Sequence, residues 1–204
     1  MAELVIDIGY SCNNFCRYCQ WNALNSSNKN RKEINLEDLL LDFETLTILG
    51  VHRVVLSGGE PLNSQNFHSV IKHYSNIGIP IRVMTHGIHI SRSIATLISN
   101  SLKEIVVSFT SLTYEIYNEI NPISQENYKN LVKGLETIAE LRDRKILDFI
   151  GLNVVLTSAN LSLDGVKTII NFAQTNGFDQ VKFQPVFDDG YLTLNAPDLR
   201  LGKE

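Results

Sequence analysis

The chain has 204 residues, 44% of them hydrophobic and 20% charged, which suffices for one globular domain with a sizeable core and falls short of two. A formal net charge of -4, with Lys and Arg scattered and no basic run longer than Arg31-Lys32, signals no phosphate-neutralising surface and leaves nucleic-acid binding unsupported. No apolar stretch reaches bilayer length, and the start lacks the basic flank and cleavage site of a signal peptide, so a cytoplasmic protein without membrane contact is expected.

Along the chain, short β-branched runs alternate with amphipathic segments of helical period, the pattern of βα units on a parallel sheet. Strands are predicted at Leu4 to Ile8, Arg53 to Ser57, Ile81 to Thr85, Glu104 to Phe109, Phe149 to Leu156 and Val181 to Pro185. Between the first two, Leu36, Leu39, Leu40, Phe43, Leu46 and Leu49 recur at helical spacing, with Asn35 as N-cap and Gly50 as terminator, and predict one helix covering the sheet. Further helices are predicted from Ser64 to Ile77, roughly Ser91 to Asn100, Ser124 to Leu141 and Ser162 to Asn176. Asn22 to Lys32 reads as a polar loop, and the tail after Val186 reads as irregular. Because βαβ crossovers are right-handed, the units curl one way, into either an open doubly wound sheet or a partly closed barrel. In both, ligands sit at the carboxyl ends of the strands.

The residues with chemistry gather at those ends. Cys12, Cys16 and Cys19 follow the first strand, and no cysteine occurs elsewhere, so a disulfide framework is improbable and a metal is expected. Soft thiolates favour zinc or iron-sulfur. Structural zinc takes four ligands, and the nearest histidine in sequence is His52, so an iron-sulfur cluster with one iron open to cofactor or substrate explains three thiolates better than a degenerate zinc site does. Gly58-Gly59-Glu60-Pro61 ends the second strand. Its glycines would let the backbone approach a ligand and Glu60 would offset an ammonium, the plainer alternative being a tight turn. His86 and His89 lie past the third strand. His86 is a candidate proton donor or substrate contact, against a simple hydrogen-bonding role, and a metal site shared with His89 lacks further ligands.

The Cys-x3-Cys-x2-Cys loop with Tyr18 before its third cysteine, followed by Gly58-Gly59-Glu60-Pro61 on the next strand, resembles the radical S-adenosylmethionine (radical SAM) superfamily. The resemblance spans Val5 to about Val186 and implies an α/β fold, a partial (β/α)6 barrel with a parallel six-stranded sheet. It divides the chain into a core domain at 1-186 and a tail at 187-204. It also implies a 4Fe-4S cluster on Cys12, Cys16 and Cys19, with S-adenosyl-L-methionine (SAM) on the fourth iron. The SAM amine would lie at Gly58, Gly59 and Glu60, its adenine against Tyr18, and its ribose near Ser108, with Asn153 and Gln184 touching SAM as in some relatives. Thr110 stands where relatives often carry an acid, and His86 replaces a common asparagine. Ring packing at Tyr18, internal satisfaction of Asn153 and Gln184, and shielding or solvation by Trp21 and Asp188-Asp189 are the structural alternatives.

The implied activity is reductive cleavage of SAM, with an electron from a flavodoxin or ferredoxin, to a 5'-deoxyadenosyl radical that abstracts hydrogen from substrate. The cysteine-free remainder leaves no auxiliary cluster within the chain, which disfavours the family's molybdenum-cofactor enzymes and points to a small metabolite or natural-product precursor as substrate. A glycyl-radical-enzyme activase acting on a partner protein is a further reading. So is a non-catalytic module that keeps a cluster or zinc for structure.

Overall fold

The computed structural model describes residues 2-19, 34-91, 102-188 and 190-202. Six strands are present: β1 (Ala2–Asp7), β2 (Val51–Ser57), β3 (Ile81–Thr85), β4 (Glu104–Phe109), β5 (Phe149–Leu156) and β6 (Gln180–Pro185). All neighbours pair in parallel, in the order β1-β2-β3-β4-β5-β6. An order that never reverses is singly wound: every crossover returns to the same face, and the sheet curls into a partial barrel. That order excludes the doubly wound alternative.

The described helices are α1 (Phe43–Ile48), α2 (Phe67–Asn76), α3 (Tyr114–Ile120), α4 (Gln125–Asp143), α5 (Leu163–Thr175) and α6 (Tyr191–Asn195). Ser124 and Ser162 cap α4 and α5 as expected, each side chain accepting from a backbone N–H of the first turn. The helix expected from Leu36 to Leu49 is instead two pieces, a 3-10 turn at Leu36–Leu39 and α1. Asp42 starts α1 by accepting from Thr45 N at 2.7 Å. The break between the pieces is stabilised from α2: Tyr74 Oη donates to Leu39 O and accepts from Leu41 N, and the His73 ring bonds Leu41 O. Tertiary partners thus satisfy backbone groups that a continuous helix would have paired internally. The helix expected at Ser91 to Asn100, the loop at Asn22 to Lys32, Trp21 and Asp189 lie outside the described residues.

One core fills the space between the convex face of the sheet and the helices, built on Val54, Leu56, Ile81, Val83, Ile105, Val107, Ile150, Leu152 and Val154. The register places the alternate residues on the concave face. They include Glu3, Val5 and Asp7 of β1 opposite Arg53, Val55 and Ser57 of β2, and Ser108, Asn153 and Lys182 side by side on β4, β5 and β6. A smaller cluster joins Ile120 to Leu192, Ala196 and Leu199, with Tyr18, Ile116, Ala159 and Val186 packed on it. The tail expected to be irregular therefore carries α6 and a 3-10 turn at Pro197–Leu199. Burial of three apolar side chains against α3 and the cysteine loop orders it, a gain not visible in so short a segment alone.

Candidate functional site

The cysteine loop leaves β1 and is anchored on both sides. Arg17 N donates to Ile120 O at 3.0 Å, the Arg17 guanidinium donates to Glu119 O, and it pairs with Asp198 at 2.7 Å, so α3 and the tail both brace the loop. On the other side the turn after β2 docks backbone to backbone: Gly59 N donates to Gly9 O at 2.9 Å and Glu60 N to Ser11 O at 2.8 Å. A Cβ on Gly58, where φ is +123°, would lie 2.4 Å from Gly9 O, and one on Gly59 would lie 2.5 Å from Ser11 O. Both glycines are thus demanded by the approach of the cysteine loop itself, besides any approach of a ligand.

Cys12, Cys16 and Cys19 are partly buried and not disulfide-bonded. Burial pushes the Cys12 thiol up to about 11, with the Glu60 and Cys19 charges adding to it. Cys16 is raised too, by burial first and then by Cys19 and Cys12. Thiols so placed hold their protons unless a metal displaces them. Among the described residues no three His, Cys, Asp or Glu side chains stand close enough to hold one metal ion. A tetrahedral zinc would draw its thiolates to within about 4 Å of one another. Three soft thiolate donors on one loop suit a cluster in which each takes a different iron.

Glu60 is the most constrained polar group of the rim, buried with 2% exposure. Oε1 accepts from Leu62 N at 3.0 Å and Thr85 Oγ1 at 2.7 Å, and Oε2 accepts from His86 N at 2.9 Å and lies 3.2 Å from His86 Nε2. Burial pushes its carboxyl pKa up, while the hydrogen bonds from Thr85, His86 and Leu62 pull the other way. No Lys or Arg among the described residues pairs with it. The adjacent imidazole supplies no charge, because burial, reinforced by His89, holds His86 down to about 3. The turn therefore carries a buried acid still lacking a cationic partner, which fits an ammonium group at this place.

His86 is buried within the rim. Its ring is 6% exposed, Nδ1 accepts from Ile88 N at 3.2 Å, and Nε2 reaches Asn13 Oδ1 at 2.8 Å as well as Glu60. An accepting Nδ1 puts the proton on Nε2, so the ring is a fixed donor and the hydrogen-bonding alternative is the one observed. Asn13 bridges it to His89, its Nδ2 2.6 Å from His89 Nε2. Asn63 Nδ2 also donates to Asn13 Oδ1, at 3.0 Å. Asn13 and Asn63 were missed by sequence reading, and only the place of Asn13 beside Cys12 gave a hint.

The remaining expected residues divide. Ser108 and Asn153 are register partners on the concave face, and the buried Asn153 Oδ1 has no hydrogen-bond partner among the described residues, an acceptor left for a hydroxyl donor. Gln184 lies one row further along β6 and is exposed. Tyr18 packs on the small cluster of the tail, and burial raises its phenol well above the usual range. Thr110 is buried and structural, accepting from Asn121 Nδ2 at 2.6 Å and, through its carbonyl, from Asn160 Nδ2 at 3.0 Å. Asp188 closes the first turn of α6, accepting from Gly190 N and from the backbone and hydroxyl of Thr193, and it pairs with Arg200.

Similarity to known proteins agrees with this geometry. Residues 6-158 match the family model of the radical SAM superfamily. A GTP 3',8-cyclase of Clostridium perfringens (strain SM101 / Type A) is 27% identical over 86% of this chain and 53% of its own length. A probable GTP 3',8-cyclase of Methanothermobacter thermautotrophicus is 30% identical over 76% of this chain and 48% of its own. The chain spans about half the length of these curated relatives, so its lack of further cysteines no longer weighs against any subclass. Among solved structures, Streptococcus suis SuiB bound to S-adenosylmethionine superposes with a TM-score of 0.75 at 18% identity, over 99% of this chain and 43% of that one. Native anSMEcpe with bound AdoMet does so with a TM-score of 0.65 at 21% identity, over 91% and 51%. The singly wound sheet, the three-thiol loop against a glycine-glycine-glutamate turn, and the family match over most of the core agree: this chain belongs to the radical SAM superfamily.

Proposed function

We propose that this chain is the catalytic core of a radical SAM enzyme acting on a small molecule. The observation that carries the reading is the buried, cation-lacking Glu60 turn packed directly on the three-thiol loop. Cys12, Cys16 and Cys19 would hold a 4Fe-4S cluster, which with bound SAM supplies the 5'-deoxyadenosyl radical for hydrogen abstraction. The turn of Gly58, Gly59 and Glu60 receives the cationic end of SAM, where Glu60 offsets the ammonium. Ser108 and the unpartnered oxygen of Asn153 serve the ribose hydroxyls, Tyr18 borders the adenine, and Gln184 flanks it. The residues of the chain thus bind and aim, and they place one C–H bond of the substrate against the reacting carbon while keeping water out.

The relatives named for acting on GTP support a small-molecule substrate over a partner protein. Cysteines not joined in disulfides suit a reducing, cytoplasmic setting, and a flavodoxin or ferredoxin would donate the electron. No described helix is long and apolar enough to cross a membrane. The test is anaerobic iron-sulfur reconstitution followed by SAM and dithionite, with 5'-deoxyadenosine measured by mass spectrometry. The wild type should form it and Cys16→Ala should not. Iron uptake with SAM left intact would replace this reading with the structural module.

A further inference from the structure

The cysteine loop and the Glu60 turn are joined by backbone bonds, by Ser64 Oγ donating to Ile8 O at 2.7 Å and, beyond Cys12, by the side chain of Asn13. Its amide has two ends, and the surroundings use both. Oδ1 accepts from His86 Nε2 at 2.8 Å and from Asn63 Nδ2 at 3.0 Å, while Nδ2 lies 2.6 Å from His89 Nε2. The amide cannot be turned around without facing two donors with a third, so its orientation is set. His86 in turn reaches Glu60 Oε2 at 3.2 Å with the same nitrogen, and its backbone N–H donates to that oxygen. One step from Cys12, a single side chain is therefore linked through one imidazole to the carboxylate expected to meet the SAM ammonium.

We propose that Asn13 is a positioning residue that acts through His86 to set the Glu60 turn against the cysteine loop, so that the cluster and the cationic end of SAM meet at one fixed separation. The inference rests on the function proposed above. The physical reason is that the bonds from Ser57, Gly59, Glu60 and Ser64 reach the stem of the loop at Ile8, Gly9 and Ser11, whereas Asn13 lies on the far side of Cys12. Rotation about that stem would carry Glu60 away from the cluster, and the Asn13 amide resists it. A site misplaced by a fraction of an ångström binds its ligand less well even when every ligating group is present.

The test separates cluster from SAM. Reconstituted wild type, Asn13→Leu, Asn13→Asp, His86→Ala and the Asn13→Leu/His86→Ala double variant are compared by iron content and by SAM titration followed in the electron paramagnetic resonance of the reduced cluster. Asn13→Leu is expected to retain its iron, because the three thiols and backbone bonds remain, and to bind SAM about tenfold more weakly, the equivalent of one net hydrogen bond. Asn13→Asp should recover most of the affinity, since its carboxylate still accepts from His86 and Asn63 and His89 can present an N–H by changing tautomer. In the His86→Ala background, Asn13→Leu should cost clearly less than in the wild type, because the bond through that ring is already gone and the one from Asn63 is left to lose. Wild-type affinity in Asn13→Leu, joint loss of iron and SAM, or the same loss with and without His86 would each overturn the proposal. A wild type that keeps its cluster and ignores SAM would overturn the proposed function and this inference with it.

Discussion

The two ends of the partial barrel are built on different chemistry. At the amino ends of the strands Arg53 pairs with Glu3 and Glu104, the latter at 2.9 Å, while Arg82 pairs with Glu104 at 2.7 Å and lies over the Phe149 ring at 4.7 Å. Glu3 and Glu104 each have a guanidinium partner and the group sits half-buried, so the charges of the base are paired within it. At the carboxyl ends stand cysteines, amides and imidazoles, of which His86 is held neutral by burial, and the buried acid Glu60 pairs with no Lys or Arg among the described residues. The base pairs its charges internally, whereas the rim keeps a buried acid with no Lys or Arg paired to it among the described residues. That contrast marks which end of a symmetrical-looking scaffold is the functional one.

The comparison can be broken hardest at the rim by Gly58→Ala. The added Cβ meets Gly9 O at 2.4 Å from a positive-φ position, and the expected loss is about 3 kcal/mol in urea unfolding together with failure to retain iron. The matching cut at the base is Glu104→Gln, which leaves two guanidinium groups short of charge. Discounted for partial exposure, it should cost about 2 kcal/mol, fall with added salt and leave SAM affinity unchanged. A change in SAM affinity in that variant would show that the two ends are coupled.

Acid should sharpen the contrast without mutation. His86 stays neutral in the fold down to about 3, and the unfolded chain protonates it near 6.5, so its contribution is present above that value and drains as pH falls, by at most about 1.4 kcal/mol per unit. Glu60, with a raised carboxyl, takes its proton earlier in the fold than in the unfolded chain and opposes this at the lower end. At the base the Arg53 hydrogen bond holds the Glu3 carboxyl low, so that contribution is lost only below the unfolded value near 4.5. Unfolding measured between pH 7 and 4 should therefore show an acid-sensitive rim above an intact base. His86→Gln should flatten the upper part of that profile; an unchanged slope would mean that His86 is not the group responsible.

The amino-acid sequence alone determined the six strands, because period-two apolar runs rich in Val and Ile bounded by Gly, Asn and Ser leave little choice of local structure; β3, β4 and β5 end where they were read. It also determined the chemistry of the rim, since three cysteines at close spacing and a glycine-glycine-glutamate turn have few other uses. It did not reveal α3, whose Tyr114, Ile116, Tyr117 and Ile120 are weak helix formers that settle by packing on Phe109, Tyr128 and the tail. Only the tertiary structure decided the singly wound strand order, because strand pairing depends on which faces the helices cover. Only it split the helix before β2, where Tyr74 and His73 take backbone groups from a distant segment. And only it brought Asn13, His86 and Glu60 together, since hydrogen bonds between residues dozens of positions apart leave no periodic trace in a chain.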